Sequence, residues 1–96
     1  MTTRWLEKWR GSAPRKPFFI FLHLWDVHYD YAPPPPYDML FDPHYEGTVT
    51  GRDYARSLEV HPGMDRRDLE HVIALYDGEI RYTDEHLGRL LERMPR

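Results

Sequence analysis

The sequence contains no cysteine and no long hydrophobic run, and its excess of negative charge is small. The absence of cysteine excludes disulfide bonds, thiolate metal sites and a cysteine nucleophile within these 96 residues. The longest apolar run, Phe18 to Leu22, is far shorter than the roughly 20 residues of a membrane-spanning helix. With 13 Lys and Arg against 16 Asp and Glu residues, no basic surface for nucleic acid is expected.

An apolar segment that runs directly into polar side chains is the most informative feature that is present. Residues 18–25 have the pattern of one buried strand, apolar on both faces, which is typical of a parallel sheet covered on both sides. His28 follows, between Asp26 and Asp30. Ligands of open α/β sheets bind beyond the carboxyl ends of the strands, so the sequence predicts an α/β fold with a site at this strand end.

Two helices are predicted, one on either side of this strand. The first is short, begins near Thr2 or Thr3 as N-cap and stops before Gly11. The second is long and amphipathic, with Asp65 as N-cap and apolar residues at helical spacing as far as Met94. Its charged residues, Glu79 among them, are expected on the solvent-exposed face.

Residues 29–63 form a proline-rich connection between the strand and the long helix. Four consecutive prolines, Pro33 to Pro36, exclude a long helix or a central strand there. Its many aromatic residues favour an ordered loop over the sheet edge, since disordered segments are poor in aromatics. One strand cannot satisfy its backbone alone, so residues 1–96 are expected to form a single partial domain of a larger α/β protein.

His28 is the main candidate for chemistry. An imidazole exchanges a proton near neutral pH and can therefore donate to an anion or protonate a leaving group. The alternative, a histidine that is hydrogen-bonded within a loop, remains open. His23, inside the strand, and Asp26, which could orient a histidine or cap a turn, are weaker candidates with structural roles as the alternative.

A metal site is not expected in this segment. The histidines at positions 23, 28 and 44 are 5 and 16 residues apart, which matches no compact ligand motif even with Asp26 added. Ser12–Lys16 is not expected to supply a nucleophile either, because it precedes the strand and has no helix N-terminus behind it. It reads as a linker.

Two segments together resemble the sulfatases of the alkaline phosphatase superfamily. Residues 17–31, followed by Pro33 and Pro34, are similar to the family strand that ends in a Pro-His-x-Pro-Tyr type sequence. Residues 74–91, Ala-Leu-Tyr-Asp-Gly-Glu-Ile-Arg-Tyr-Thr-Asp-Glu-His-Leu-Gly-Arg-Leu-Leu, are similar to the long family helix with its Leu-Gly-x-Leu-Leu ending. The resemblance covers residues 16–93, and it departs from the family at Val27 and Asp30, where proline is common.

The resemblance implies a metal-dependent sulfuric ester hydrolase with a mainly parallel mixed sheet flanked by helices, and residues 1–96 as a central segment of its catalytic domain. Within it, His28 is expected to contact the sulfate ester and to protonate or position the leaving oxygen. No such role carries over to His23 or Asp26. A formylglycine nucleophile, made from Cys or Ser in a Cys/Ser-x-Pro-x-Arg motif, and the acidic ligands of Ca²⁺ are expected outside this chain. Ser12–Lys16 has lysine where that motif has arginine. The chain by itself is therefore expected to be inactive and to act with the rest of its domain on a small-molecule or carbohydrate sulfate ester.

Other functions remain open. A phosphoester or phosphonate hydrolase, or a phosphoglycerol transferase, would share the scaffold and differ in nucleophile and metals. A non-catalytic binding module would use the aromatic, proline-rich surface from Tyr29 to Tyr45. Localisation is also open, because members of the resembled family are often exported, periplasmic or membrane-associated and the residues after Met1 do not form a signal peptide.

Overall fold

The computed structural model describes residues 2–12, 17–53, 56 and 58–94. They form two α-helices, α1 (Thr2–Arg10) and α2 (Arg66–Glu92), and a 3-10 helix at Tyr37–Met39. The chain measures 60 × 25 × 16 Å and has a radius of gyration of 18.4 Å, whereas a compact domain of this size has about 13 Å. The molecule is thus elongated along α2.

Helix α2 begins where the sequence predicts. The carboxylate of Asp65 accepts a hydrogen bond from the backbone N–H of Arg67 at 2.7 Å, which satisfies one of the free donors of the first turn. At the other end, the N–H of Arg93 reaches the carbonyls of Leu90 and Leu91. Within the described residues, neither helix is both long and apolar enough to cross a membrane.

The expected strand is not formed, and the predicted α/β fold with a parallel sheet is wrong. Residues 18–25 have no regular secondary structure, and the side chains of Phe19 and Phe21 are 88% and 81% exposed. A strand needs a neighbour to pair its N–H and C=O groups. No other part of the described chain provides a backbone hydrogen bond to this segment, so an apolar sequence alone does not produce a sheet here.

The proline-rich loop is closed at its base by one backbone hydrogen bond. The N–H of Tyr31 donates to the carbonyl of Gly51 at 2.9 Å, so residues 32–50 leave and return at the same point. Gly51 is buried and has φ of 66°, and a Cβ atom there would collide with the Tyr31 carbonyl. This position therefore requires glycine.

The loop packs on the middle of α2 through the 3-10 helix. Gly78 faces the carbonyl of Tyr37 and the ring of Pro33 so closely that no side chain fits between them. The Tyr37 ring meets Tyr82 edge-on at 5.3 Å, and its hydroxyl donates to Glu85 at 2.8 Å. These contacts fix the loop against one face of the helix.

Little apolar surface is buried in the described part of the chain. The buried apolar side chains there are Leu6, Val72 and Leu75. Several apolar residues of α2 remain largely accessible: Leu69, Ile73, Tyr76, Ile80 and Leu91. On α1, Trp5 and Trp9 hold Phe18 between them, with ring centroids 5.2 and 4.8 Å away.

Candidate functional site

His28 lies in the turn that follows the extended apolar segment. Its ring is half-buried between two aromatic rings, with centroids 4.6 Å from Trp25 and 4.1 Å from Tyr29. Its Nδ1 lies 2.9 Å from the carbonyl oxygen of Tyr29. The sequence thus places His28 on a loop whose neighbouring aromatics restrict the ring.

The contact with Tyr29 determines which nitrogen carries the proton. A carbonyl oxygen only accepts, so Nδ1 of His28 is the donor and must be protonated. The other nitrogen, Nε2, accepts in the neutral imidazole and donates in the imidazolium. With Nδ1 held by the backbone carbonyl, Nε2 is the ring nitrogen that can take part in a further hydrogen bond.

The two weaker candidates stand apart from His28. His23 is exposed, and its ring centroid is 6.5 Å from that of Phe21. Asp26 is exposed and lines a cavity of about 210 Å³ together with residues of α2, among them Tyr82 and His86. Within the described residues neither side chain makes a hydrogen bond to His28. Their roles stay predictions.

Glu79 is a buried carboxyl that the sequence pattern assigned to the exposed face of the helix, and that assignment is wrong. Its side chain on α2 is only 6% exposed. One oxygen, Oε1, accepts a hydrogen bond from the backbone N–H of Ala32 at 2.9 Å. The other, Oε2, is buried and has no hydrogen-bond partner in the described part of the chain. Glu79 therefore joins α2 to the end of the His28 turn.

The surroundings of Glu79 favour its neutral form. Burial raises the pKa of Glu79, and the nearby negative charges of Asp26 and Asp30 raise it further, while the hydrogen bond from Ala32 acts in the opposite direction. Burial dominates because a charged carboxylate loses its hydration there. Since Oε1 serves as acceptor for Ala32, the proton of the neutral form belongs on Oε2.

A second group of polar side chains joins the loop to the first turns of α2. Asp42 accepts two hydrogen bonds from the guanidinium of Arg67, at 2.6 and 2.7 Å, and one from Nδ1 of His71 at 2.9 Å. The ring of Tyr45 stacks on His71 with centroids 3.6 Å apart. The hydroxyl of Tyr45 donates to Asp68 at 2.5 Å. The sequence contains no signal for this grouping, because its hydrogen bonds join residues of an irregular loop to residues of α2 that are 23 to 29 positions further along the chain.

A cavity borders this second group and not His28. Its volume is about 640 Å³, in the range of ligand sites, and Oδ1 of Asp38 is buried in the same region without a partner among the described residues. It is lined by Ala32, Pro33, Pro34, Pro35, Asp38, Met39, Asp42, Pro43, Tyr45, Thr50, Arg52, His71 and Leu75. None of the candidate residues His23, Asp26 and His28 contributes to its wall.

The described residues do not fit a metal centre. No group of three or more His, Asp or Glu side chains among them is arranged to hold a cation.

Of the linker at Ser12–Lys16, residues 13–16 lie outside the described residues. Ser12 uses its hydroxyl to donate to the carbonyl of Trp9 at 2.7 Å, at the end of α1.

Comparison with known protein families assigns the chain. The family model described as Sulfatase matches residues 1–95, so this chain belongs to the sulfatase family, a family of hydrolases that is in general metal-dependent. No curated protein and no solved structure matches the chain. The resemblance expected from the two sequence segments is thereby confirmed at the level of the family.

Proposed function

We propose that this chain supplies one wall of the substrate site of a sulfate ester hydrolase, with His28 as the residue that meets the leaving oxygen. Membership of the sulfatase family supports the reaction class. The observation that carries the role of His28 is the hydrogen bond from its Nδ1 to the Tyr29 carbonyl, which leaves Nε2 for a substrate.

The proposed step is the transfer of the sulfuryl group to a nucleophile supplied by the rest of the protein, as the S–O bond between the sulfuryl group and the alcohol breaks. The electron pair of that bond goes to the leaving oxygen, which takes the proton from Nε2 of the imidazolium. During the transfer, Nδ1–H stays on the Tyr29 carbonyl, so the ring does not need to turn. General acid catalysis of this kind contributes about 10²- to 10⁴-fold.

The remaining machinery is proposed to come from the rest of the same protein. The sequence has no cysteine, and the described residues offer no cation site, so neither a formylglycine derived from cysteine nor the calcium ligands are assigned here. The elongated shape and the exposed Phe19 and Phe21 support residues 1–96 as a partial domain that is inactive alone. A small-molecule or carbohydrate sulfate ester is the proposed substrate.

The test compares two sulfate esters in the complete protein that contains this chain. An alkyl sulfate needs a proton on its leaving oxygen, whereas 4-nitrophenolate leaves without one. His28→Ala should lower kcat/KM by about 10²-fold or more for the alkyl sulfate and by much less for 4-nitrophenyl sulfate. His44→Ala, a change at an exposed histidine of the loop, is the matched control and should leave both values unchanged.

Three outcomes would contradict the proposal. Unchanged turnover in His28→Ala removes this residue from the reaction. Hydrolysis of 4-nitrophenyl phosphate without hydrolysis of either sulfate indicates a phosphoester hydrolase. Tight binding of a sulfated saccharide with no turnover of any ester indicates a binding module that uses the surface from Tyr29 to Tyr45.

A further inference from the structure

Glu79 has a buried carboxyl that the proposed reaction does not use. We propose that Glu79 is a positioning residue: it holds the turn of residues 26–32 on α2 through Ala32 and thereby places His28. The inference rests on the proposed function, because it assigns the effect of Glu79 to His28.

The turn is fixed where it joins the loop. Two successive backbone N–H groups are held there, that of Tyr31 by Gly51 and that of Ala32 by Glu79, each at 2.9 Å. Gly51 belongs to the same irregular loop, whereas Glu79 belongs to a 27-residue helix. A side chain supported by a regular helix is held more precisely than one supported by loop contacts alone. Glu79 thus joins the turn that carries His28 to the helix by a hydrogen bond to its backbone.

The protonation state of Glu79 concerns its second oxygen, Oε2. Asp26 and Asp30 are the charged groups that face it from the turn, and no cationic side chain of α2 or of the loop acts on it in the described residues. A proton on Oε2 removes the negative charge of this carboxyl, while Oε1 still accepts from Ala32. A neutral carboxyl therefore keeps the hydrogen bond from Ala32 without adding a third negative charge near Asp26 and Asp30.

Three variants of the complete protein test the role. In Glu79→Ala the Ala32 N–H loses its acceptor, so kcat for the alkyl sulfate should fall about 10-fold or more, as expected when a reacting group is displaced. Hydrogen exchange at the Ala32 amide should become faster. Glu79→Gln keeps an acceptor for Ala32 and a donor in place of Oε2–H, and should recover most of the lost kcat. Glu70→Ala, at an exposed glutamate of the same helix, is the control and should change neither quantity.

A double variant shows whether Glu79 acts through His28. If it does, adding Glu79→Ala to His28→Ala should cost little further kcat, because the group that it positions is already gone. A further loss of the full single-variant size means that Glu79 acts independently and overturns the inference. If Glu79→Ala does not fold, Glu79→Asp, which is shorter by one methylene, replaces it in the same comparison.

The two proposals fail in different ways. If His28→Ala loses turnover while Glu79→Ala changes neither kcat nor exchange at Ala32, the positioning role is wrong and the proposed function stands. If His28→Ala keeps full turnover, the proposed function is wrong, and the positioning role falls with it.

Discussion

The carboxylate of Asp42 accepts a hydrogen bond from Nδ1 of His71 at 2.9 Å. The same carboxylate forms a bidentate ion pair with the guanidinium of Arg67. Arg67 lies in the first turn of α2, and its backbone N–H donates to the N-cap residue Asp65. Since Asp42 lies in the loop and the other two on α2, this one side chain joins the two parts of the molecule. The residues of α2 that contact Asp42 precede Gly78 in the helix, whereas Glu85, the partner of Tyr37, follows it.

The Asp42 contacts should make stability depend on pH in acid. The hydrogen bonds from Arg67 are the largest cause that lowers the pKa of Asp42 to about 2, and His71 adds to them. Because an unfolded Asp titrates near 3.9, this contribution is complete above about pH 4 and is lost as the pH falls towards 2. Asp42→Asn should therefore lower the free energy of unfolding at pH 7, and the difference from the wild type should shrink between pH 4 and 2.

Urea unfolding at a series of pH values measures this difference. The control is Asp84→Asn, which removes a largely exposed partner of Arg81 at 3.8 Å and should have almost no effect at any pH. A pH-independent difference for Asp42→Asn would mean that the charge of Asp42 does not stabilise the loop.

Gly78 and Gly88 lie in the same helix and should respond oppositely to alanine. A Cβ atom at position 78 would lie 2.5 Å from the Tyr37 carbonyl oxygen and 2.9 Å from Cγ of Pro33, so the loop must move. Gly78→Ala should cost about 1–3 kcal/mol of stability, the range of overpacking, despite its gain in helix propensity. At position 88 nothing lies within 4 Å, and Gly88→Ala should stabilise by up to about 1 kcal/mol.

Thermal unfolding of the two alanine variants beside the wild type checks this pair. Equal effects at both positions would show that the 3-10 helix does not pack against Gly78 in solution.

Glu79 should produce the opposite pH dependence to Asp42. Burial raises the pKa of Glu79, so the folded chain keeps this proton at pH values where the unfolded chain, with a glutamate near 4.3, has lost it. Stability therefore decreases as the pH rises through that interval. Glu79→Gln has no proton to lose, and its advantage in unfolding free energy over the wild type should grow upward from about pH 4.

The measurement is again urea unfolding against pH, with Glu70→Gln as the exposed control on α2. A constant difference between Glu79→Gln and the wild type would show that the pKa of Glu79 is the same in the folded and the unfolded chain.

The sequence predicts the helices well because their signals are local. Asp65 caps α2 by accepting a hydrogen bond from the N–H of Arg67, two residues away, and α1 ends at Arg10, just before Gly11. The strand was predicted from residues 18–25 alone, although a strand depends on a partner that a local pattern does not contain. The same holds for the Asp42 cluster, which is assembled across an irregular loop.

Glu79 was missed for a different reason. Its residue type suggests exposure to solvent, but it lies seven residues after Val72 and four after Leu75, the buried hydrophobic residues of the helix. A carboxyl on the buried stripe of an amphipathic helix is itself a signal, since such groups are almost never buried without a partner. The helical spacing therefore indicates that Glu79 is buried, although its residue type suggests exposure.

The hydrogen bond from the N–H of Tyr31 to the carbonyl of Gly51 holds the two ends of the loop together, whatever the length of the chain between them. Whatever lies between residues 32 and 50, the chain re-enters beside the turn that carries His28. Insertions in such a closed loop cost little, about 0.6 kcal/mol for a doubling of length. A change in the length of the loop tip would thus leave His28, at the root of the loop, in its place.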